Sequence, residues 1–299
     1  MNNGGVDLRR LHLLLELSRL GSMRAVAETH GLTTSTVSQQ VAALAREVGT
    51  ALVEPDGRRV RLTPAGRRLA DHAVTVLAAV DAARADLDPG AEPTGTLRVG
   101  GFATGIRTSL LPVVAELERT HPAVLVSISE YEPAEALALL AEDDLDLALT
   151  YDHNLAPVAV PSSMTALRLW TSTWSLAVPT EDDPPAAASG LSAWADRDWI
   201  VNSRNTADED VLRTLGSLAG FTPRVRHRID SLDLVEDLIL AGHGVALLPA
   251  TASPRPGITL LDLHDPPVLL TAYAVTRLGR ERWAPLRLLL DRLGAPGVP

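Results

Sequence analysis

The chain has 299 residues, length for two or three domains, and 46 % of it is apolar, so a sizeable core is available. It has no cysteine, which excludes disulfides, cysteine-containing zinc sites and a thiol redox sensor. The net charge of −10 argues against nucleic acid only at whole-chain scale: residues 1–68 hold ten arginines against six acids, a balance of +4, which suits a basic head on an acidic body.

Met1 to Gly5 lacks the basic and apolar regions of a signal peptide, and no stretch approaches the roughly 18 apolar residues of a membrane span. No membrane partner is expected, and the expected location is the cytoplasm. From Asp7 to Leu20 the pattern predicts a helix buried through Leu8, Leu11, Leu14 and Leu15. Its Arg9 and Arg10 face either solvent or a phosphate. Ser22 is a good N-cap for a short helix over 23–28, and His30-Gly31-Leu32 makes a turn. Thr33 caps a second helix, Thr34 to Val48. Val37, Val41, Leu44, Ala45 and Val48 fall on one face of it. The opposite early edge carries Thr34, Ser35, Thr36, Ser38, Gln39 and Gln40. As a bland reading this is a solvated face. As a functional one it is a row of hydrogen-bonders, with Thr33, reaching base edges in a major groove, where glutamine pairs bidentately with adenine.

Two short β-prone runs follow, Leu52 to Asp56 and Arg58 to Thr63, around an Asp-Gly turn. Arg58, Arg59 and Arg61 on the return strand suit a wing gripping phosphate or minor groove. A long helix is predicted from Pro64 to about Leu87, roughly 35 Å in length. Leu69, Ala73, Val76, Val80, Ala83 and Leu87 recur on it at 4, 3, 4, 3, 4, a heptad seam for pairing with a second copy. The alternative is that the seam packs on its own head.

Asp88 to Gly95 is a Pro/Gly-rich hinge. Beyond it strands and helices alternate, as in a parallel α/β sheet. Strands are predicted over 96–100, 124–129, 145–150, 174–178, 199–201, 224–229, 245–249 and 269–275. A loop spans 101–105. Helices are predicted over 110–120, 132–142, 208–219, 232–241 and 283–293.

Together these motifs give a resemblance. Gly21-Ser22, Ala25-Val26-Ala27-Glu28, Gly31-Leu32-Thr33, Val37-Ser38-Gln39-Gln40, Glu47-Val48-Gly49 and Val60-Arg61-Leu62-Thr63-Pro64-Ala65-Gly66 are similar to the LysR-type transcriptional regulators over residues 7–87. More loosely, Leu97 to Gly100, Leu111-Pro112, Leu145 to Leu149, Gly220 to Pro223 and Ala241 to Pro249 resemble that family's effector domain. The resemblance implies an α+β multidomain chain: a winged helix-turn-helix (1–63), a dimerisation helix (64–88), a hinge (89–95) and a two-lobed α/β periplasmic-binding-protein-like domain (96–299). Lobe one would take about 96–166 and 270–299, and lobe two about 167–269, with crossings near 164–170 and 268–273. It further implies a homodimer, assembling to a homotetramer, on an interrupted inverted repeat in double-stranded DNA. A small-molecule effector controls it, and RNA polymerase is a further candidate partner. Three positions depart from the family pattern: Gln39, where arginine is usual; Ser35, where proline is common; and Val53-Glu54-Pro55, where Phe-Glu-Arg is usual. The two lost arginines put the usual DNA contacts in doubt.

Ligands of open α/β sheets sit at the carboxyl ends of strands, where helix N-termini favour anions. Walking those ends gives Thr104, Ser129, Thr150, Asn202, Ser203, Thr206 and Ser231. Each is a helix cap as readily as a ligand contact. Tyr131, Tyr151, Arg204 and His243 are weaker candidates. An acceptor-rich, anionic effector is expected. No GxSxG, HExxH, P-loop or dinucleotide fingerprint occurs, so no enzyme, metal or cofactor is expected. The alternatives are a winged-helix regulator governed by a protein partner or by no ligand and, more remotely, an enzyme or a solute-binding protein.

Overall fold

The computed structural model describes residues 5–56, 59–87, 92–182, 190–251 and 253–295. Arg58 and Gly57 of the expected wing, and residues 88–91 of the expected hinge, lie outside them.

Local signals set the head. Helix α1 (Leu8–Leu20) starts where the Asp7 carboxylate accepts the Arg9 and Arg10 N–H groups. Helix α2 (Met23–His30) starts at Ser22, whose hydroxyl accepts from Ala25, and α3 (Thr34–Val48) at Thr33, whose hydroxyl accepts from Thr36. Gly31 closes α2 at φ 62°, a left-handed conformation that suits glycine. Leu14, Leu17, Val26, Val37, Val41 and Leu44 form the core between these helices. The wing pairs β1 (Val53–Asp56) with β2 (Arg59–Leu62) in antiparallel register, Val53 opposite Leu62.

Helix α4 (Pro64–Leu87) has 24 residues. The expected seam is split. Ala73 is fully buried, with Val74, against Leu11 and Leu15 of α1, and Leu69 packs with them. Those two positions are therefore taken by the chain's own head, because the leucines of α1 need a cover. Val76 stays 42 % exposed and Leu87 87 %, Ala83 is exposed, and Val80 is half-buried.

The body has two lobes. In the first, β3 (Gly95–Gly101) runs parallel to β4 (Val124–Glu130) and to β5 (Leu147–His153). After β3 comes one helical turn, α5 (Ala103–Gly105), a π-turn over Ile106–Leu110, and then α6 (Leu111–Thr120). The helix thus begins seven residues before the expected Leu110. Helix α7 (Pro133–Ala141) lies between β4 and β5 in sequence. In the second lobe, β7 (Asp198–Val201) is parallel to β8 (Arg224–Arg228), with α8 (Ala207–Ala219) and α9 (Leu232–Leu240) around them. Trp199 is completely buried among Leu176, Val201, Leu212 and Val245.

Strand β6 (Met164–Pro179) joins the lobes, and its 16 residues correct the expected strand over 174–178. Residues 164–174 pair antiparallel with β11 (Val268–Arg277), and β11 also pairs antiparallel with β5. Residues 174–179 pair with β9 (Ala246–Pro249) and with β10 (Ile258–Leu261), an unforeseen strand. Both expected crossings therefore lie inside hydrogen-bonded strands, and the sheet is mixed rather than parallel. The Thr, Ser and Arg residues along 165–173 hid the first half of β6 because that half lies at the surface, half-exposed on both faces. Helix α10 (Ala284–Leu293) returns to the first lobe through Leu286, Leu289 and Leu293.

Head and body touch. The Arg19 guanidinium meets Asp143 at 2.6 Å, Arg277 meets Asp71 at 2.9 Å, and the Thr75 hydroxyl donates to the Leu278 carbonyl at 3.1 Å. Beneath them Asp146, 1 % exposed at its side chain, accepts from the Arg98 backbone N–H, twice from the Arg98 guanidinium, and from Arg280 at 3.0 Å. Burial raises the Asp146 pKa, but the arginines outweigh it and the net shift is downward.

Candidate functional site

On the head, the α3 edge presents Thr33, Thr34, Ser35, Ser38 and Gln39 to solvent, with Thr36 partly covered. Thr33 Oγ1 lies 2.9 Å from Ser35 Oγ and 2.8 Å from Thr36 Oγ1, so these hydroxyls first serve one another and the cap. Gln40 is a correction. It is half-buried, and its Oε1 accepts the Arg10 Nε–H at 2.9 Å, while Arg10 also bonds Glu47. A bidentate pairing with adenine needs that oxygen free. Gln39 has the free amide. On the wing Arg61 meets Glu54 at 3.0 Å across the hairpin and stays exposed. Arg59 stands in β2 opposite Asp56.

Between the lobes lies a cavity of about 720 Å³. Thr104, Asn202 and Ser231 line it. Thr104 sits inside the first helical turn after β3 rather than before it, with its carbonyl accepting from Thr108. Ser231 caps α9 by accepting the Leu234 N–H at 3.4 Å. The other four expected residues are not on the wall. Ser129 is exposed in β4, and Thr150 is buried in β5 opposite Tyr273. The Ser203 N–H donates to Asp230 at 2.7 Å, and its hydroxyl bonds the same carboxylate. Thr206 donates to Asp210 and accepts no cap bond, because Asn205 Oδ1 takes the Ala207 N–H instead.

Of the weaker candidates, Tyr151 lines the cavity. Arg204 stands beside it, paired with Glu130, Glu132, Glu135 and Asp230. Tyr131 packs against Gly100, and His243 against the ring of His227, so neither belongs to the cavity. Residues the sequence did not single out complete the wall: Phe102, Arg107, Trp170, Trp174, Glu130, Glu132, Asp208, Asp230 and Asp233. Glu132 is buried and accepts from Tyr151 and from Asn205. Burial pushes its pKa up, and the Asp230 charge adds to that. Burial likewise raises the Tyr151 phenol, helped by the charges of Asp208 and Glu132.

In the second lobe the expected anion meets no waiting backbone donor at 203–204. The backbone N–H groups meant to hold it at Ser203 and Arg204 already donate to Asp230. The lining has five carboxylates against one guanidinium, that of Arg107.

Comparison with known proteins agrees with this architecture. Residues 8–67 match the model described as bacterial regulatory helix-turn-helix protein, lysR family, and residues 90–295 match the LysR substrate binding domain. The transcriptional dual regulator GltC of Bacillus subtilis is 28 % identical over 293 residues, 92 % of each chain. A probable hydrogen peroxide-inducible genes activator of Mycobacterium avium is 31 % identical over 228 residues, 75 % of this chain and 71 % of that one. A solved full-length OxyR variant of Pseudomonas aeruginosa superposes with a TM-score of 0.73 at 20 % identity, covering 99 % of this chain and 97 % of that one. With a winged helix-turn-helix head, an effector-binding body and matches to both family models, the chain belongs to the LysR family of bacterial transcriptional regulators.

Proposed function

We propose that this regulator reads DNA through the α3 edge Thr34, Ser35, Ser38 and Gln39, grips the backbone with the wing, and is switched by a small molecule in the interlobe cavity. The observation that carries the switch is the cavity itself: about 720 Å³, walled by both lobes and rich in aromatic and polar side chains, which is the form of a small-molecule site. A ligand shifts a two-state protein only by binding one state better, and a site shared by two lobes meets that condition when they close. Helix α4 pairs two copies through its open stretch, Val76, Val80, Ala83 and Leu87, giving a dimer, and two dimers a tetramer, on an inverted repeat. The working parts are then a head to residue 63, a linker helix to 88 and an effector domain from 96. No helix of the described residues is long and apolar enough to cross a membrane, which supports a cytoplasmic setting. The input differs from thiol oxidation, because the chain has no cysteine to oxidise.

The test is an operator shift with the full-length protein. Trp170→Ala, which trims a cavity wall, is expected to abolish the effector-dependent change in the shift. A response of wild-type size would remove the cavity from the mechanism.

A further inference from the structure

We infer that residues 202–208, the loop after β7 and the first turn of α8, form a latch by which the second lobe holds the first across the cavity, through bonds within the chain. The loop is anchored in its own lobe. Asp230 accepts the N–H groups of Ser203 and Arg204 at 2.7 and 3.3 Å, and the Arg204 Nε–H at 3.2 Å. One edge of the guanidinium is thereby fixed. Its other two nitrogens face the first lobe. Nη2 meets Glu130 at 3.2 Å and Glu132 at 3.7 Å, and Nη1 meets Glu135 at 3.5 Å. A planar guanidinium, with donors in fixed directions, can be shared between two bodies in this way.

A second set of bonds is more deeply buried. The backbone N–H of Ala207 donates to Asn205 Oδ1 at 2.8 Å, which fixes the orientation of that amide. The Asn205 nitrogen then donates to Glu132 and, at 3.0 Å, to the Tyr151 hydroxyl. The Asn202 amide donates to the same hydroxyl at 3.1 Å, and the hydroxyl donates to Glu132 at 3.1 Å. The Tyr151 oxygen thus gives one hydrogen bond and takes two, its full complement. Glu132, Tyr151 and Asn202 are 7 %, 9 % and 7 % exposed, so water is largely kept from these bonds and they are stronger than on an open surface. Beside them the His153 Nε2–H donates to Asp208 at 3.3 Å. Position gives the bonds leverage. The sheet runs β6-β11-β5-β3-β4, so β4, which ends at Glu130, stands three places from β11, about 14 Å. The lobes are therefore tied at the crossing strands and again at that distance, and turning one lobe about the crossing strains the second tie. Where a ligand works the cavity as proposed above, it acts against these bonds, while the latch itself stands without that reading.

The test is hydrogen exchange resolved to single amides, on full-length protein with no effector added. Each variant is read at an amide to which the altered side chain makes no bond. Arg204→Ala is read at Ala207, whose N–H is held by Asn205. Tyr151→Phe, in the first lobe, is read at Ser203, whose N–H is held by Asp230 in the second. Each variant is expected to speed exchange at its distant amide about tenfold, the factor for losing one hydrogen bond to a charged group, and to leave the amides of β3 at wild-type rates. Melting temperature checks folding, and the conservative Tyr151→Phe decides if Arg204→Ala does not fold. Acceleration confined to the amides beside each altered side chain reduces the bonds to local contacts and overturns the latch. Unchanged rates throughout overturn it as well. Because no ligand enters the experiment, either failure leaves the role of the cavity untouched.

Discussion

The head and the interlobe cavity use the same device, a side chain that caps backbone N–H groups, at different ranges. In the head Asp7, Ser22 and Thr33 cap N–H groups two or three residues ahead. At the cavity Asp230 takes the N–H groups of Ser203 and Arg204, 27 and 26 residues away. Short-range caps are written into neighbouring letters. Long-range ones exist only after folding, and here they consume the loop N–H groups after β7, which a strand-end rule would leave for a ligand.

The comparison is sharpened first where head meets body. Asp146→Ala would leave Arg98 and Arg280 without their buried partner and is expected to cost about 3–5 kcal/mol in chemical denaturation. A loss under about 1 kcal/mol would mean water serves the arginines as well. Because the Asp146 pKa is lowered on folding, its contribution is present above the unfolded value of about 3.9 and disappears as pH falls through the lower folded one. Melting temperature followed from pH 7 to pH 3 should drop less steeply in Asp146→Asn than in the wild type.

Next comes the long-range cap itself. Asp230→Ala is expected to cost about 1.5–3 kcal/mol, the range for hydrogen bonds to a charged group, and to loosen the cavity edge in hydrogen exchange at 203–204. An unaltered exchange rate there would deny Asp230 its capping role. In the head, Gln39→Ala is expected to cost about 1–3 kcal/mol on the operator and much less on random DNA. Gln40→Ala should cost less than Gln39→Ala on the operator, because Arg10 already holds that amide. The reverse order in anisotropy would return base reading to Gln40. Thr33→Ala, a single short-range cap, is expected to cost about 0.5–2 kcal/mol. The smallest effect belongs to Arg61→Ala, which should flatten the slope of log K against log salt by about one. An unchanged slope makes Arg61 only a partner for Glu54.

Most of the head was legible because its information is local. Caps, turn glycines and the Val37-Val41-Leu44 face all lie within a few residues of what they organise. Helix α4 was legible in extent but not in partners: a heptad says that a face wants cover, and Ala73 found it in α1. In the body the alternation was readable, but only the end of β6 was seen, since the rest is a polar surface strand with little periodicity, and β10 was missed because four residues are too few to show a period. Of the seven expected cavity residues, Thr104, Asn202 and Ser231 are on the wall. Glu132, first residue of an expected helix, and Asp230 were passed over because an acid at the end of an element looks like any solvated residue until folding brings its partners to it.

Strand β11 lies hydrogen-bonded between β5 and β6 for most of its length. Leu270 near its start borders the cavity, while Arg277 at its end holds Asp71 of α4. Seven residues of extended chain span about 24 Å. Held on both edges, with one break in register at Ala272–Tyr273, the ribbon ties the cavity wall and the linker helix to a single strand, with no loop in between.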